Sequence, residues 1–392
     1  MRTRRFRSLA AASGAHALHD GLTDLIYVLL PVWQAQFGIG YAQVGLLRAS
    51  YAGTMAGFQL LASRAARRWG RRRMLVGGTA LAGAAFLLAG QAGGMAVLLA
   101  ALFLGGLGAS VQHPLASSMV ADAHEEGGGV KQALAQYNFA GDIGKTLLPA
   151  AVGLLLVVLS WRAGVTLMGL LGLATAGLLA WLIPPGGGVA AKAPDAARGG
   201  AQGLGSGLLA LLATGALDSA VRMGFLTFLP FLLKSKGAGT AGIGVALSLL
   251  FVGGACGKLF CGYLGARIGM MRTVWATESA TALLIVLALW LPLGGVMAML
   301  PLLGMVLNGT SSVLYGAVPE LAAPGRREHA FALFYTGTIG AGALAPVLFG
   351  SLGDAAGIPA ALAALAALVL LTLPLAWLVR HSLARQAARS SA

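Results

Sequence analysis

The chain has 392 residues, 58% of them hydrophobic and 10% charged, with a mean hydropathy of +0.82; water would not dissolve such a surface, which excludes a soluble domain. Apolar stretches of roughly 20 residues, enough to cross a hydrocarbon core about 30 Å thick, recur from end to end without the alternation of a barrel strand, so helices must satisfy the backbone in lipid. The formal charge of +15 raises the question of a nucleic-acid partner, and its placement decides.

Arg2, Arg4, Arg5 and Arg7 precede an apolar stretch that continues through Pro31, and this reads as an uncleaved first helix. Spans are predicted at about 9 to 36, 41 to 63, 74 to 92, 96 to 121, 131 to 158 and 162 to 184. A second set follows at about 206 to 233, 240 to 263, 273 to 292, 295 to 319, 329 to 352 and 358 to 379. The first span carries His16, His19, Asp20 and Asp24, and the second Arg48. The fourth carries His113 and closes at Asp122, and the fifth carries Asp142 and Lys145. Asp218 and Arg222 lie on the seventh span, Lys258 on the eighth and Glu278 on the ninth, while Glu320 closes the tenth. Glu278 lies about one turn and a half from its helix end, where it is expected to reach the interface or Arg272. Cys256 and Cys261, within one predicted helix, read as packing residues.

An even number of spans puts both termini on one side. That side holds the amino-terminal arginines, the cluster Arg64, Arg67, Arg68, Arg71, Arg72 and Arg73, then Lys131, Lys192, Arg198, Arg267, Arg272, Arg326, Arg327, Arg380, Arg385 and Arg389. The opposite loops carry only Arg162, Lys234 and Lys236. The positive-inside rule makes both termini cytoplasmic, in a bacterial inner membrane. The basic excess is thus a topology signal, and no nucleic-acid partner is expected.

Displacing the chain by 199 residues superimposes Leu30-Pro31 on Leu229-Pro230, Gly38 on Gly237, Gly45 on Gly244 and Gly70 on Gly269. At 197 residues Ala133 falls on Ala330, Pro149 on Pro346 and Gly153 on Gly350. The expected fold is all-α: twelve transmembrane helices in two parallel six-helix repeats, 1–184 and 206–392, joined by a Pro- and Gly-rich cytoplasmic linker at 185–205. Duplicated bundles of this kind place a substrate site near the bilayer midplane and rock to give alternating access.

Arg67-Arg68-Trp69-Gly70-Arg71-Arg72-Arg73 and its repeat Gly262-Tyr263-Leu264-Gly265-Ala266-Arg267-Ile268-Gly269 resemble the signature loop of the major facilitator superfamily, with Arg67 and Ala266 where that family has Asp. The remaining arginines, Arg71, Arg72, Arg267 and Arg272, could bond helix ends or the acids Asp122 and Glu320, as a cytoplasmic gate or as plain topology markers. His16-Ala17-Leu18-His19-Asp20, Gln112-His113-Pro114, Arg222 ahead of Phe228-Leu229-Pro230, and Gly141-Asp142-Ile143-Gly144 resemble the fosmidomycin-resistance group of that superfamily, with Leu115 and Asp142 as departures. The resemblance implies proton-driven export of a drug or metabolite. It also implies a cavity lined by spans one, four, seven and ten, and a seam of spans two, five, eight and eleven.

Ionisable groups at membrane depth are functional candidates by default. Asp20 and Asp24, with His16 and His19 nearby, are candidate proton carriers, the alternative for Asp20 being a brace to a neighbouring helix. Arg48, His113, Asp142, Lys145, Asp218 and Arg222 are candidate substrate contacts. Asp218 and Arg222 share a helix face, and Asp142 with Lys145 could neutralise one another; His113 could instead bond a carbonyl freed by Pro114. Arg48, Arg222, Lys145 and Lys258, read as buried cations, point to an anionic or zwitterionic substrate, and arginine's fork suits carboxylate, phosphate or phosphonate. Tyr27, Trp33, Gln34, Gln112, Tyr137 and Asn138 are further cavity or packing candidates. No nucleophile elbow, nucleotide-phosphate loop or clustered metal spacing occurs, so neither an enzyme nor a cofactor or metal is expected. The expected partners are a small-molecule substrate, protons and the lipid bilayer, and the expected state is a monomer. An importer of an organic anion by proton symport would use the same residues, and a non-transporting membrane sensor is the alternative from another class.

Overall fold

The computed structural model describes residues 2–125, 129–183, 205–322 and 327–390. Among them there is no strand. The helices are α1 (Arg2–Phe37), α2 (Tyr41–Trp69), α3 (Arg71–Gly90), α4 (Met95–Ala109), α5 (Gln112–His124), α6 (Val130–Val158) and α7 (Trp161–Leu182) in the first half. In the second half they are α8 (Ser206–Ser235), α9 (Thr240–Ile268), α10 (Met270–Trp290), α11 (Leu293–Leu321), α12 (Arg327–Ala356), α13 (Ile358–Leu370) and α14 (Thr372–Ser390). Helices α4 with α5, and α13 with α14, each make one apolar crossing, Met95–His124 and Ile358–Ser382, so the fourteen helices among the described residues group into twelve helical segments, the number expected from the sequence. The predicted linker, with Lys192, Asp195 and Arg198, lies outside the described residues except for Gly205, as does Arg326.

Proline explains both interrupted spans. Pro114 and Pro374 lack an N–H and their rings crowd the carbonyl four residues back, at Ser110 and Leu370, where α4 and α13 give way. The repeat-matched glycines explain the tight turns: Gly38 and Gly237 have φ of 62° and 93°, and Gly70 and Gly269 have 85° and 87°, a region that L-residues with a Cβ avoid. Hydropathy ends the second span near 63, but α2 continues to Trp69, because the helix stops at Gly70 and the apolar stretch stops earlier.

Ten helical stretches among the described residues are long and apolar enough to cross a membrane. The two spans outside that set are α1 and α2, which carry His16, His19, Asp20, Asp24, Arg48 and the flanking arginines. Trp69, Trp181, Trp290 and Trp377 stand exposed at or near helix ends, as expected of aromatic rings at membrane interfaces.

The chain forms two compact units. The first comprises Met1–Ile39, Leu46–Ala193 and Gly239–Ser248, and the second Gly40–Gly45, Pro194–Ala238 and Leu249–Ala392. In the first, α1 packs against α5, α6 and α7, and α3 against α4 and α7, over a core that includes Ala11, Ala15, Ala66, Leu75, Leu115 and Tyr137. In the second, α8 packs against α11, α12, α13 and α14, with Leu211, Val274, Leu314, Val318 and Phe334 at the centre. Within that second unit the Asp354 carboxylate accepts hydrogen bonds from the backbone N–H of Tyr41 (2.6 Å) and Ala42 (2.9 Å), satisfying donors that the start of α2 leaves open.

Candidate functional site

In the first unit His16, His113 and Lys145 converge on Asp20. Small residues make this possible, because α1 and α6 meet backbone to backbone at Gly144, where a Cβ would overlap the Ala17 carbonyl oxygen. A methyl on Gly141 would stand 2.6 Å from His16 Nε2 and 2.7 Å from Asp20 Oδ2. This approach brings the Lys145 ammonium to 3.2 Å from Asp20 Oδ2. His16 Nε2 lies 3.1 Å from the same oxygen, and His113 Nε2 lies 3.5 Å from Oδ1.

His16 is held from its other side as well. Its Nδ1 lies 2.8 Å from the Tyr137 carbonyl oxygen, and its ring stacks on Tyr137 with centroids 4.2 Å apart. Both ring nitrogens therefore face acceptors, which only the doubly protonated ring satisfies in full. The Tyr137 hydroxyl in turn accepts a hydrogen bond from Gln112 Nε2 at 3.0 Å. The break before Pro114 thus leaves Gln112 and His113 on the first turn of α5, both directed at α1 and α6. His16, Asp20 and His113 offer ligand atoms within 4.8 Å of one another, a metal-compatible grouping that linear spacing did not reveal. Lys145 supplies the positive charge there.

One turn further along α1, Asp24 lies 3.9 Å from Arg48 Nη2, and the Arg48 guanidinium sits 4.5 Å from the Tyr27 ring centroid. Arg48 is 4% exposed, yet its Nε and Nη1 have no hydrogen-bond partner. His19 turns away from Asp20 and meets Thr79 Oγ1 on α3 at 3.0 Å. Trp33 is buried, whereas Asn138 is exposed.

In the second unit Asp218 Oδ2 lies 3.8 Å from Arg222 Nη2 on the same face of α8. Glu278 corrects the sequence expectation. It is 1% exposed and reaches neither the interface nor Arg272, but makes hydrogen-bond contact with the Asp218 carboxyl and the Thr310 hydroxyl. Distance along the helix axis misjudged it because depth does not specify which way the side chain points. Lys258 is a second correction, since it is exposed and does not belong with the buried cations.

At the signature loops, Arg71 Nη2 meets Asp122 Oδ2 at 2.6 Å. Arg72 donates to the carbonyls of Ile183 and Ala180, both at 2.6 Å, closing the end of α7. Arg267 lies over Tyr263, 4.9 Å from its centroid. Arg272 and Glu320 are exposed and make no ion pair among the described residues. A separate apolar pocket of about 440 Å³, lined by Phe58, Leu61, Trp69, Met74, Leu81 and Val111 among others, contains none of the buried ionisable groups.

The Major Facilitator Superfamily profile matches residues 12–310 and 211–391. The cephamycin export protein CmcT of Amycolatopsis lactamdurans is 33% identical over 156 residues, which is 40% of this chain and 32% of that relative; the match thus spans about a third of the relative's length. Among solved structures, a bacterial homologue of the human lysosomal transporter Spinster, inward-facing and occupied, superposes with a TM-score of 0.76 at 16% identity, covering 95% of this chain and 96% of the other. The nucleoside transporter NupG superposes with a TM-score of 0.78 at 15% identity, covering 97% and 99%. At such identities the structural likeness establishes the fold.

Proposed function

Because the chain belongs to the Major Facilitator Superfamily, we propose that it is a secondary active transporter that exports a small anionic or zwitterionic drug or metabolite in exchange for protons, by alternating access. Arg48 carries the reading. A buried guanidinium with two unpartnered nitrogens is costly unless a ligand completes it, and its planar fork fits a carboxylate, phosphate or phosphonate. Export as the direction draws on the cephamycin export relative and on the likeness of the His16-to-Asp20 and Gln112-His113-Pro114 elements to the fosmidomycin-resistance group.

Asp20, Asp24, His16 and His19 are assigned to the proton, and Arg48, His113, Asp142, Lys145, Asp218 and Arg222 to the substrate. Antiport needs substrate and proton to exclude one another. The Asp20 carboxylate offers this to the cationic end of a zwitterion, which would compete there with a proton. Arg71, Arg72, Asp122, Arg267, Arg272 and Glu320 form the cytoplasmic gate. The halves 1–184 and 206–392 rock about the 185–205 linker, with both termini cytoplasmic, in a monomer of the bacterial inner membrane.

Asp24 favours a second reading, proton symport of an organic anion. An anion that engages Arg48 removes the counter-charge of Asp24, which then takes up a proton, so that anion and proton bind together. A thermal-shift screen of the purified protein against anionic, zwitterionic and cationic compounds identifies ligands. Flux of a hit is then measured in proteoliposomes with and without an imposed proton gradient. Flux that ignores the gradient removes the coupling; ligands that are exclusively cationic remove the anion site. Flux driven opposite to the gradient selects antiport, and flux driven along it selects symport.

A further inference from the structure

Asp218 and Glu278 stand 4% and 1% exposed, on α8 and α10, at the positions that the 199-residue repeat matches to His19 and Thr79, whose side chains meet at 3.0 Å in the first unit; here two carboxyls face one another as hydrogen-bond partners. An ionised carboxylate only accepts hydrogen bonds, so contact between two of them requires a proton on one. The local charge count agrees. Arg222, 3.8 Å from Asp218, supplies one positive charge for two acids, and a single shared proton makes the group neutral.

The surroundings offer no replacement for that proton. Helix α10 packs against α11, α13 and α14, and α8 against α11, α12, α13 and α14. The polar groups these helices bring close are hydroxyls: Thr310 bonds Thr277 Oγ1 at 2.8 Å and also touches Glu278. Elsewhere on those helices, among the described side chains, Glu320 and Tyr315 on α11 are exposed, and Arg380 and His381 on α14 lie against Trp275 and Trp377. On α12, His329 and Tyr335 are exposed and Asp354 holds the start of α2; α13 carries no titratable group. Glu278 Oε1, Thr281 Oγ1 and Arg222 Nε, all buried, find no partner, so the group retains unused hydrogen-bonding capacity around the acids.

We propose that Asp218 and Glu278 hold one proton between them, a second proton-binding site of the transporter with Arg222 as its counter-charge. On release the carboxyl O–H bond breaks, the proton passes to water, and Arg222 remains to balance one of the two carboxylates. Its part in coupling rests on the transport reading above; the presence of the proton does not.

Infrared difference spectroscopy on the purified full-length protein in lipid, titrated from neutral to alkaline pH with proton release measured in parallel, tests the site. The expected result is a protonated-carboxyl C=O band that disappears at alkaline pH and is missing from both Glu278→Gln and Asp218→Asn, while Asp20→Asn retains it. Proton release is expected to be lower by one per chain in Glu278→Gln, whose amide keeps the shape and a donor toward Asp218. Helix content and melting checked on each variant identify the one to be read. A band that persists in the folded variants, or its absence from the wild-type protein at neutral pH, overturns the proposal. A band that behaves as expected together with flux indifferent to a proton gradient supports the site and refutes the coupling reading alone.

Discussion

Gly141→Ala tests whether the Asp20 cluster is as tightly fitted as its distances imply. The added methyl would stand 2.6 Å from His16 Nε2, 2.7 Å from Asp20 Oδ2 and 2.8 Å from His16 Cε1, whereas non-bonded heavy atoms settle at about 3.5–4.0 Å. Something must move by about 1 Å. His16 is poorly able to yield, since Nδ1 is held at 2.8 Å by the Tyr137 carbonyl and the ring is stacked on Tyr137 at 4.2 Å. Asp20 is held by Lys145 at 3.2 Å. Overpacking of this kind costs about 1–3 kcal/mol, and a misplacement of about 1 Å costs on the order of 100-fold in rate where positioning is critical. The control is Gly14→Ala on α1, where a methyl meets nothing within 4 Å and alanine is favoured over glycine in a helix by roughly 0.5–1 kcal/mol. Proteoliposome flux and thermal melting are compared for both. Gly141→Ala is expected to lower melting and to cut flux ten- to a hundredfold, while the control matches or exceeds wild type in melting. Wild-type flux in Gly141→Ala would refute the assignment of the Asp20 cluster to transport.

Asp20→Asn is expected to leave ligand binding by thermal shift largely intact while uncoupling flux from the proton gradient, seen as the same flux with and without it. Arg48→Gln removes a charge-assisted fork worth about 1.5–3 kcal/mol, so the apparent Kd for an anionic ligand is expected to rise on the order of 10- to 100-fold, with little change for neutral compounds. Asp354→Ala strips the start of α2 of two acceptors, a loss of about 1–2 kcal/mol; faster hydrogen exchange at the amides of Tyr41 and Ala42 checks it directly.

Of the pairs read four residues apart on one helix, the structure forms Asp218 with Arg222; His16, read only as near Asp20, pairs with it at the same spacing. Their spacing decides their geometry once the segment is helical. Contacts between helices were less legible. Lys145 was read against Asp142 on its own helix, yet its ammonium reaches Asp20 on α1, because Gly141 and Gly144 let the two backbones approach. Glu278 and Lys258 show the other difficulty: hydropathy measures depth along the membrane normal, while burial depends on rotation about the helix axis, which packing sets. Ten of the spans were legible because length and apolarity suffice, α1 and α2 carrying too much charge for that test alone, and the breaks near Pro114 and Pro374 follow from proline chemistry that a hydropathy average smooths away.

The signature loops show how duplication has produced unequal copies. At the start of α3, Arg71 ties to Asp122 and Arg72 to the end of α7. At the corresponding start of α10 the register places Met270 and Met271, thioethers that form no salt link and adapt their shape to whatever lies beside them. Movement of α3 has to break these charged links, whereas Met270 and Met271 offer none at the matching turn of α10. At this turn, then, one repeat is fastened by charge and its counterpart by shape alone.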